Sequence, residues 1–140
     1  MFETFPHKAD AGIRGYGKTL EEAFQEAGKA MFSIMVELKD VKPKTEIPVA
    51  AVSNTKDSLF IEFLNELIYL RDIHSMFFSE FELERILPMN AGYSLKGKAF
   101  GEKIDLKKHE VKTEVKAASY HQLKIEKTYK GFMVQTVVDV

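Results

Sequence analysis

The order of helical and strand-like segments is the feature that most constrains how this chain can fold. Two segments with helical spacing of apolar residues lie in the first half, and the second half consists mostly of strand-like segments. A helix with an apolar face has to bury that face against another element, and the strands offer the surface to do so. We therefore predict an α+β fold in which two helices pack on an antiparallel or mixed β-sheet, as a sandwich-like single domain spanning residues 1–140.

Capping signals and apolar spacing predict the two helices. Thr19 can accept a hydrogen bond from the first free amides of a helix, and Glu22, three residues on, completes a capping box. Apolar residues recur at helical spacing from there to Met35. A second helix is predicted at about residues 58–71, after a turn with several candidate N-caps. Its apolar positions cover more than one side, which indicates that it is buried on several sides or meets a partner.

The strands are predicted from alternating or β-favouring stretches bounded by glycine, proline and polar turns. Pro6 ends the first strand or places it at a sheet edge, and Lys130-Gly131 is a candidate hairpin turn between the last two. The predicted strands cover residues 1–5, 12–17, 47–52, 76–87, 92–102, 111–118, 122–129 and 132–138, with Pro88-Met89-Asn90 between the fourth and the fifth.

Composition excludes several classes of function. The 20 basic and 21 acidic residues give a formal charge of -1, which argues against a dedicated nucleic-acid binder. The chain has no cysteine, so disulfides, thiolate metal sites and cysteine nucleophiles are absent. We find neither a signal-peptide pattern nor an apolar run of membrane-spanning length, and therefore expect a cytoplasmic protein without membrane contact.

The last four residues, Val137-Val138-Asp139-Val140, form a strand-like run that bears one acidic side chain. A hydrophobic run that continues to the final residue indicates a last strand held inside a sheet. Such a strand would bring the side chain of Asp139 and the carboxyl group of Val140 to one place. Oxygen-rich anionic places of this kind suit hard divalent cations.

Two further polar segments allow both a functional and a structural interpretation. His7 and Asp10, three residues apart in a predicted loop, could share a cation, or Asp10 could cap a turn beside a surface histidine. Lys116, Tyr120 and His121 could form a general acid–base set, or could belong to a strand end with a half-buried tyrosine. For both segments taken alone, the structural interpretation is the better one.

Three other sequence patterns are weaker evidence for a functional site. Asp105 and His109 have the spacing of a ligand pair on a helix, but the neighbouring lysines would repel a cation. The alternating acids at positions 80, 82 and 84 indicate a solvent-facing strand that resists edge-to-edge association. The glycines at positions 12, 15 and 17 fit neither a Walker loop nor a dinucleotide fingerprint, so we predict no nucleotide bound through a P-loop or Rossmann motif.

Taken together, four segments resemble the archease family in order and spacing over nearly the whole chain. The opening block resembles the family's H-T-A-D…G…T-x-E-E-A-F pattern, and the later blocks resemble its L-N-x-L, K-A-x-T-Y-H and final Asp-Ile patterns. Lys8 and Ser119 stand in place of threonines, and Val140 in place of isoleucine. The segments are His7–Asp10 with Thr19–Phe24, Phe63–Tyr69, Val115–His121 and Asp139–Val140.

The resemblance implies an accessory protein rather than an enzyme. Archeases assist the GTP-dependent RNA ligase of tRNA splicing, which joins ends bearing a 2′,3′-cyclic phosphate or 3′-phosphate to a 5′-hydroxyl. They promote guanylylation of the ligase and its repeated turnover, so RNA is met indirectly, through the ligase. Their divalent-metal site implies that Asp10, Asp139 and Val140 bind a cation such as calcium, magnesium or manganese in this chain.

Several expectations accompany this resemblance. Pairing of the first and last strands would bring the two acids together, while Lys8, in an extended loop, would lie on the side of Asp10 and weaken metal binding. His7, Lys116, Tyr120 and His121 are candidate residues at the edge of the site or in contact with the partner. The alternatives are a metal-dependent phosphoester hydrolase using the two acids with His7 or His121, and a general chaperone or RNA-binding module.

Overall fold

The computed structural model describes residues 1–140 and contains two α-helices and nine β-strands. A short 3₁₀ helix at Leu38–Asp40 follows the first α-helix. In chain order the elements are β1 (Phe2–His7), β2 (Asp10–Gly17), α1 (Leu20–Met35), β3 (Thr45–Ser53), α2 (Lys56–His74), β4 (Met76–Leu83), β5 (Leu87–Met89), β6 (Gly92–Lys103), β7 (Ala117–Ala118), β8 (Lys124–Thr128) and β9 (Gly131–Asp139).

The strands form two antiparallel sheets. The first has the order β1-β2-β9-β7, and β8 also pairs with β9; the second has the order β3-β6-β4, and β5 also pairs with β6. Every pairing is antiparallel. The predicted α+β fold, with two helices packed on antiparallel sheet, is thus confirmed. Pro6 lies within β1, which is an edge strand and therefore tolerates a residue without an N–H group.

Both helices begin at threonine caps. Thr19 accepts a hydrogen bond from the Glu22 N–H at 3.1 Å. The carboxylate of Glu22 accepts from the N–H of Lys18 rather than from that of Thr19, so the predicted reciprocal bond closes one residue earlier. At α2, Thr55 and Ser58 form a complete capping box. This helix is longer at both ends than the predicted residues 58–71.

One core of 31 buried residues joins both helices to both sheets. The α1 helix packs mainly on β2 and β4, and α2 packs on β3, β6 and β7. Aromatic rings link the layers, since Phe24 lies 5.0 Å from Phe60 and 5.8 Å from Phe63 between ring centroids. The expectation that α2 is buried on several sides is met within the protein itself. Neither helix combines the length and the apolar character needed to cross a membrane.

Three strand predictions require correction. Pro88-Met89 is not loop but belongs to the short strand β5, which pairs with β6. Of residues 111–118, only Ala117–Ala118 is a regular strand, because the backbone of residues 112 and 113 hydrogen-bonds the last turn of α1 instead of a neighbouring strand. The turn of the last hairpin is Tyr129-Lys130, and Gly131 opens β9 at a φ of 142°.

Candidate functional site

The two predicted acidic ligands lie side by side at one edge of the first sheet. The ladder between β2 and β9 runs to the pair Ala11↔Val138, and one further step of the same register sets Asp10 opposite Asp139. Directly opposed residues in an antiparallel pair have Cβ atoms about 4.5–5.5 Å apart and share a face. The strand that carries Asp10 next to the last strand is therefore β2, and the expectation that the first strand would pair with the last is wrong.

The same row of the sheet extends on both sides of the acids. His7 pairs with Asp10 across the turn between β1 and β2, and Ala117 pairs with Asp139 across β7 and β9. His7, Asp10, Asp139 and Ala117 thus follow one another across four strands on one face. We call the end of the sheet formed by Asp10, Asp139 and Val140 the carboxylate corner. Asp10 is half-buried and Asp139 is exposed.

The carboxylates of the corner have no cationic partner in the protein. None of the ten ion pairs includes Asp10 or Asp139. Like charges directly opposed across a ladder destabilise a sheet, so a bound cation would relieve their repulsion. No group of three or more His, Cys, Asp or Glu side chains forms a metal cluster. Carboxylate oxygens are the donors that hard divalent ions prefer, but two side chains alone are fewer than the six or more oxygen ligands that such an ion takes.

Lys8 is placed differently from what the sequence suggested. It occupies the tight turn between β1 and β2 at a φ of 50°, in the left-handed region, rather than an extended loop. Its side chain makes no ion pair with Asp10. The premise on which Lys8 was expected to weaken metal binding is therefore wrong.

His7 and His121 face each other beside the corner. Their Nε2 atoms are 3.0 Å apart, and the rings meet edge to face with centroids 4.6 Å apart. The Nδ1 atom of His7 is buried without a hydrogen-bond partner. An unpaired N–H buried at Nδ1 of His7 would cost more free energy than an unpaired lone pair at the same atom. This geometry therefore favours the tautomer in which Nε2 of His7 carries the proton and donates it to His121. The pair joins the 119–123 loop to the end of β1.

The remaining candidates surround the corner without forming an acid–base set. The backbone N–H of Lys116 donates to the carbonyl of Asp139 at 2.8 Å, while the lysine side chain is exposed. Tyr120 is exposed, and no hydrogen bond links the side chains of Lys116, Tyr120 and His121. Ser119 donates from its N–H and its hydroxyl to the carbonyl of Val137.

Sequence reasoning assigned no role to Asn65, which contacts this region from the middle of α2. Its Oδ1 accepts a hydrogen bond from the Ala118 N–H at 2.8 Å, and its Nδ2 donates to the Ala118 carbonyl at 3.4 Å. A signal for it exists in the sequence, because Asn65 is a polar residue within the apolar stretch 59–70 of a helix. A part-buried amide of this kind is usually hydrogen-bonded, as Asn65 is here.

Asp105 and His109 belong to a separate, structural network. Nδ1 of the buried His109 accepts from the Asp105 N–H, so its Nε2 carries the proton and donates to Glu102 at 2.9 Å. Burial would raise the pKa of Glu102, but hydrogen bonds from Lys108, the Lys42 N–H and His109 outweigh it and hold that pKa well below its usual value. Both ring nitrogens of His109 are used, which leaves neither free to bind a metal ion together with Asp105.

Two other features lie away from the corner. The acids at positions 80, 82 and 84 are exposed, the first two of them on the edge strand β4, as their alternation predicts. A cavity of about 640 Å³ is lined by residues including Tyr16, Gly17 and Tyr129. It lies at the opposite end of β2 from Asp10, and neither Asp10 nor Asp139 lines any of the five main cavities.

Comparison with known proteins finds a protein family that matches this chain. Residues 2–140 match the model of the Archease protein family. The chain is 44% identical over 141 residues to "Protein archease" of Pyrococcus furiosus, covering 100% of this chain and 99% of that protein. It is 34% identical over 139 residues to "Protein archease" of Sulfolobus acidocaldarius, covering 99% of this chain and 98% of that protein.

Two solved structures share the fold. The solution structure of Methanobacterium thermoautotrophicum protein 1598 superimposes with a TM-score of 0.83 at 33% identity, covering 99% of this chain and 98% of that one. The crystal structure of an archease from Thermotoga maritima, described as a possible chaperone, has a TM-score of 0.59 at 19% identity, covering 97% of this chain and 94% of that one. At that identity the second likeness concerns the fold alone.

Proposed function

Because this chain belongs to the archease family, we propose that it is an accessory protein that activates the GTP-dependent RNA ligase of tRNA splicing. In this role it promotes guanylylation of the ligase and allows each ligase molecule to act repeatedly. The ligase itself joins RNA ends that carry a 2′,3′-cyclic phosphate or 3′-phosphate to a 5′-hydroxyl. The accessory protein meets RNA only through that enzyme.

One observation carries the proposal: residues from each of the four segments that resemble the family, His7–Asp10 from the first of them, meet at one end of the first sheet. Asp10 of the opening block lies opposite Asp139 of the final block. Asn65 of the helical block bonds Ala118 of the third block, and Ala118 pairs with Val138. Segments far apart in the chain that meet at one exposed edge, with unpaired carboxylates, are better explained by a shared site than by packing alone.

The residues of the corner would hold a divalent ion such as calcium, magnesium or manganese. The antiparallel backbones of β2 and β9 fix the spacing of Asp10 and Asp139, and the backbone carboxyl of Val140 is the third proposed ligand. A divalent ion supplies the positive charge that a triphosphate needs during attack at its α-phosphorus. Because the two side chains lack supporting ion pairs and lie at an open edge, they would hold the ion loosely enough to release it to the ligase. Alternatively the ion joins β2 to β9, and another surface acts on the ligase.

The ligase contact surface would surround the corner. Lys116, Tyr120 and His121 are exposed on the 116–123 segment beside it, and Tyr120 is 57% accessible. An exposed tyrosine flanked by polar groups is typical of residues that anchor protein interfaces. His7 and His121 hold this loop against β1, so the surface is formed before the partner arrives.

The experiment that tests the proposal measures guanylylation of the host's RNA ligase with GTP and Mn²⁺, with and without this protein. Wild-type protein should raise the rate at least about tenfold, and Asp139→Asn should remove most of that gain. Glu126→Gln makes the same charge change on the exposed strand β8 and should behave as wild type. No stimulation by wild type contradicts the function, and full stimulation by Asp139→Asn contradicts the site. A variant lacking Val140 tests its carboxyl group.

Three further assays separate the alternatives. Turnover of a phosphate ester by the protein alone, lost in Asp10→Ala, would indicate a metal-dependent hydrolase. Protection of unrelated unfolded proteins would indicate a general chaperone, the role suggested in the description of the Thermotoga maritima structure. Retention of RNA without the ligase would indicate an RNA-binding module, which the near-neutral charge disfavours.

A further inference from the structure

The end of β9 that carries Asp139 is held mainly by β7. The ladder to β2 runs only as far as Val138, and beyond it Asp139 is paired with Ala117 and accepts a hydrogen bond from the Lys116 N–H. Strand ends fray unless other elements hold them. The position of the Asp139 carboxylate relative to Asp10 therefore depends on how firmly β7 is fixed.

A strand of two residues makes too few hydrogen bonds to hold its own position, and side chains of α2 provide additional ones. Asn65 makes both of its hydrogen bonds to Ala118, one with the N–H and one with the carbonyl, as a neighbouring strand would do. One turn and a half further along the helix, the buried Arg71 donates to the carbonyl of Val115 at 2.9 Å. Two side chains of one helix thus hold the segment before and within β7.

We propose that Asn65 is a positioning residue of the carboxylate corner, which fixes the ion-binding geometry of Asp139 and Val140 through β7. The inference rests on the proposed function, because it assumes that the corner binds a divalent ion. Asn65 touches neither carboxylate. It acts through Ala118, which pairs with Val138, and through the adjoining bond from Lys116 to Asp139.

The chemistry of an amide explains why this position needs asparagine. The Ala118 backbone presents one donor and one acceptor toward α2, and a carboxamide is the side-chain group that can hydrogen-bond both at once. Leucine at this position would keep the volume but leave both backbone groups unpaired near the core, which would push β7 toward solvent. Aspartate would keep the shorter bond, to the Ala118 N–H, but its second oxygen would replace the longer bond with a repulsive contact to the Ala118 carbonyl.

The test is Mn²⁺ binding to the isolated folded protein, measured by calorimetry at 20 °C alongside thermal unfolding. Asn65→Leu should lower Mn²⁺ affinity about tenfold, and the affinity of Asn65→Asp should fall between that of Asn65→Leu and that of wild type. Asn54→Leu, in an exposed turn, is the matched control and should bind as wild type. If Asn65→Leu does not fold, Asn65→Ala replaces it, with several-fold loss expected because water can reach Ala118.

The outcomes separate this inference from the function on which it rests. Absence of Mn²⁺ binding by wild type would overturn the metal corner and this inference with it. Binding by wild type, with equal affinity in the Asn65→Leu or Asn65→Ala variant, would overturn the inference alone, even if the unfolding temperature falls. A purely structural role lowers that temperature and leaves the affinity of the folded protein unchanged.

Discussion

At the scale of single residues, the acidic residues of the proposed site could be predicted from the sequence, but the local structure around its neighbours could not. Asp10 and Asp139 were identified as acids that meet, and the structure sets them opposite each other. Lys8 was misplaced because its left-handed turn conformation depends on the tight connection between two paired strands. Asn65 had no assigned role because its partner, Ala118, lies 53 residues away in the two-residue strand β7.

The first prediction at this scale concerns Gly15, which lies close to the backbone of α1. A Cβ atom there would collide with the backbone of α1 at Ala23 and Ala27, which cannot move aside without shifting the helix. Gly15→Ala should therefore lower the free energy of unfolding by about 3 kcal/mol, measured by chemical denaturation.

Gly12, on the same strand, provides the comparison. A Cβ at Gly12 would meet only the ring of Phe5, on the edge strand β1, which can rotate away. Gly12→Ala should cost about 1 kcal/mol. Equal losses in the two variants would contradict the close approach of β2 to α1.

At the scale of elements, local signals predicted the helices well and the segment at residues 111–116 poorly. The start of α1 follows from Thr19 and the apolar spacing behind it, both of which lie within a few residues of each other. Residues 111–116 have strand-like composition, yet their backbone bonds the end of α1 and the side chain of Arg71. Such partners come from distant parts of the chain and leave no local pattern.

The Glu102 network fixes the connection between β6 and this segment, and it makes stability depend on pH. Hydrogen bonds hold the pKa of Glu102 well below its ordinary value of 4.5 in the folded protein. Its contribution is therefore fully present above about pH 5 and is lost as pH falls through the lowered folded pKa. Glu102→Gln should lower the free energy of unfolding at pH 7 by about 2 kcal/mol.

The same variant should also lose less stability than wild type between about pH 5 and pH 2, as followed by denaturation at each pH. Glu82→Gln, on the exposed face of the edge strand β4, should keep the wild-type pH profile. A profile for Glu102→Gln that falls as steeply as that of wild type would show that the ionised Glu102 does not stabilise the fold.

At the scale of the whole molecule, the two antiparallel sheets and two helices bring Asp10, at the start of β2, and Asp139, at the end of β9, to one sheet edge. The fold class follows from the order of elements, but the strand order does not, because several antiparallel arrangements satisfy the same pattern. The structure adds that β2 rather than β1 neighbours β9, and that α2 reaches the corner through β7. These two features connect residues of the four segments that resemble the family at one proposed site.

The most direct test of that site counts the RNA ends joined per molecule of host ligase when substrate is in large excess. Without this protein we expect about one joining event per ligase, and with wild-type protein we expect many. Asp10→Asn and Asp139→Asn should each return the count toward one. A count that wild-type protein leaves unchanged would contradict the account.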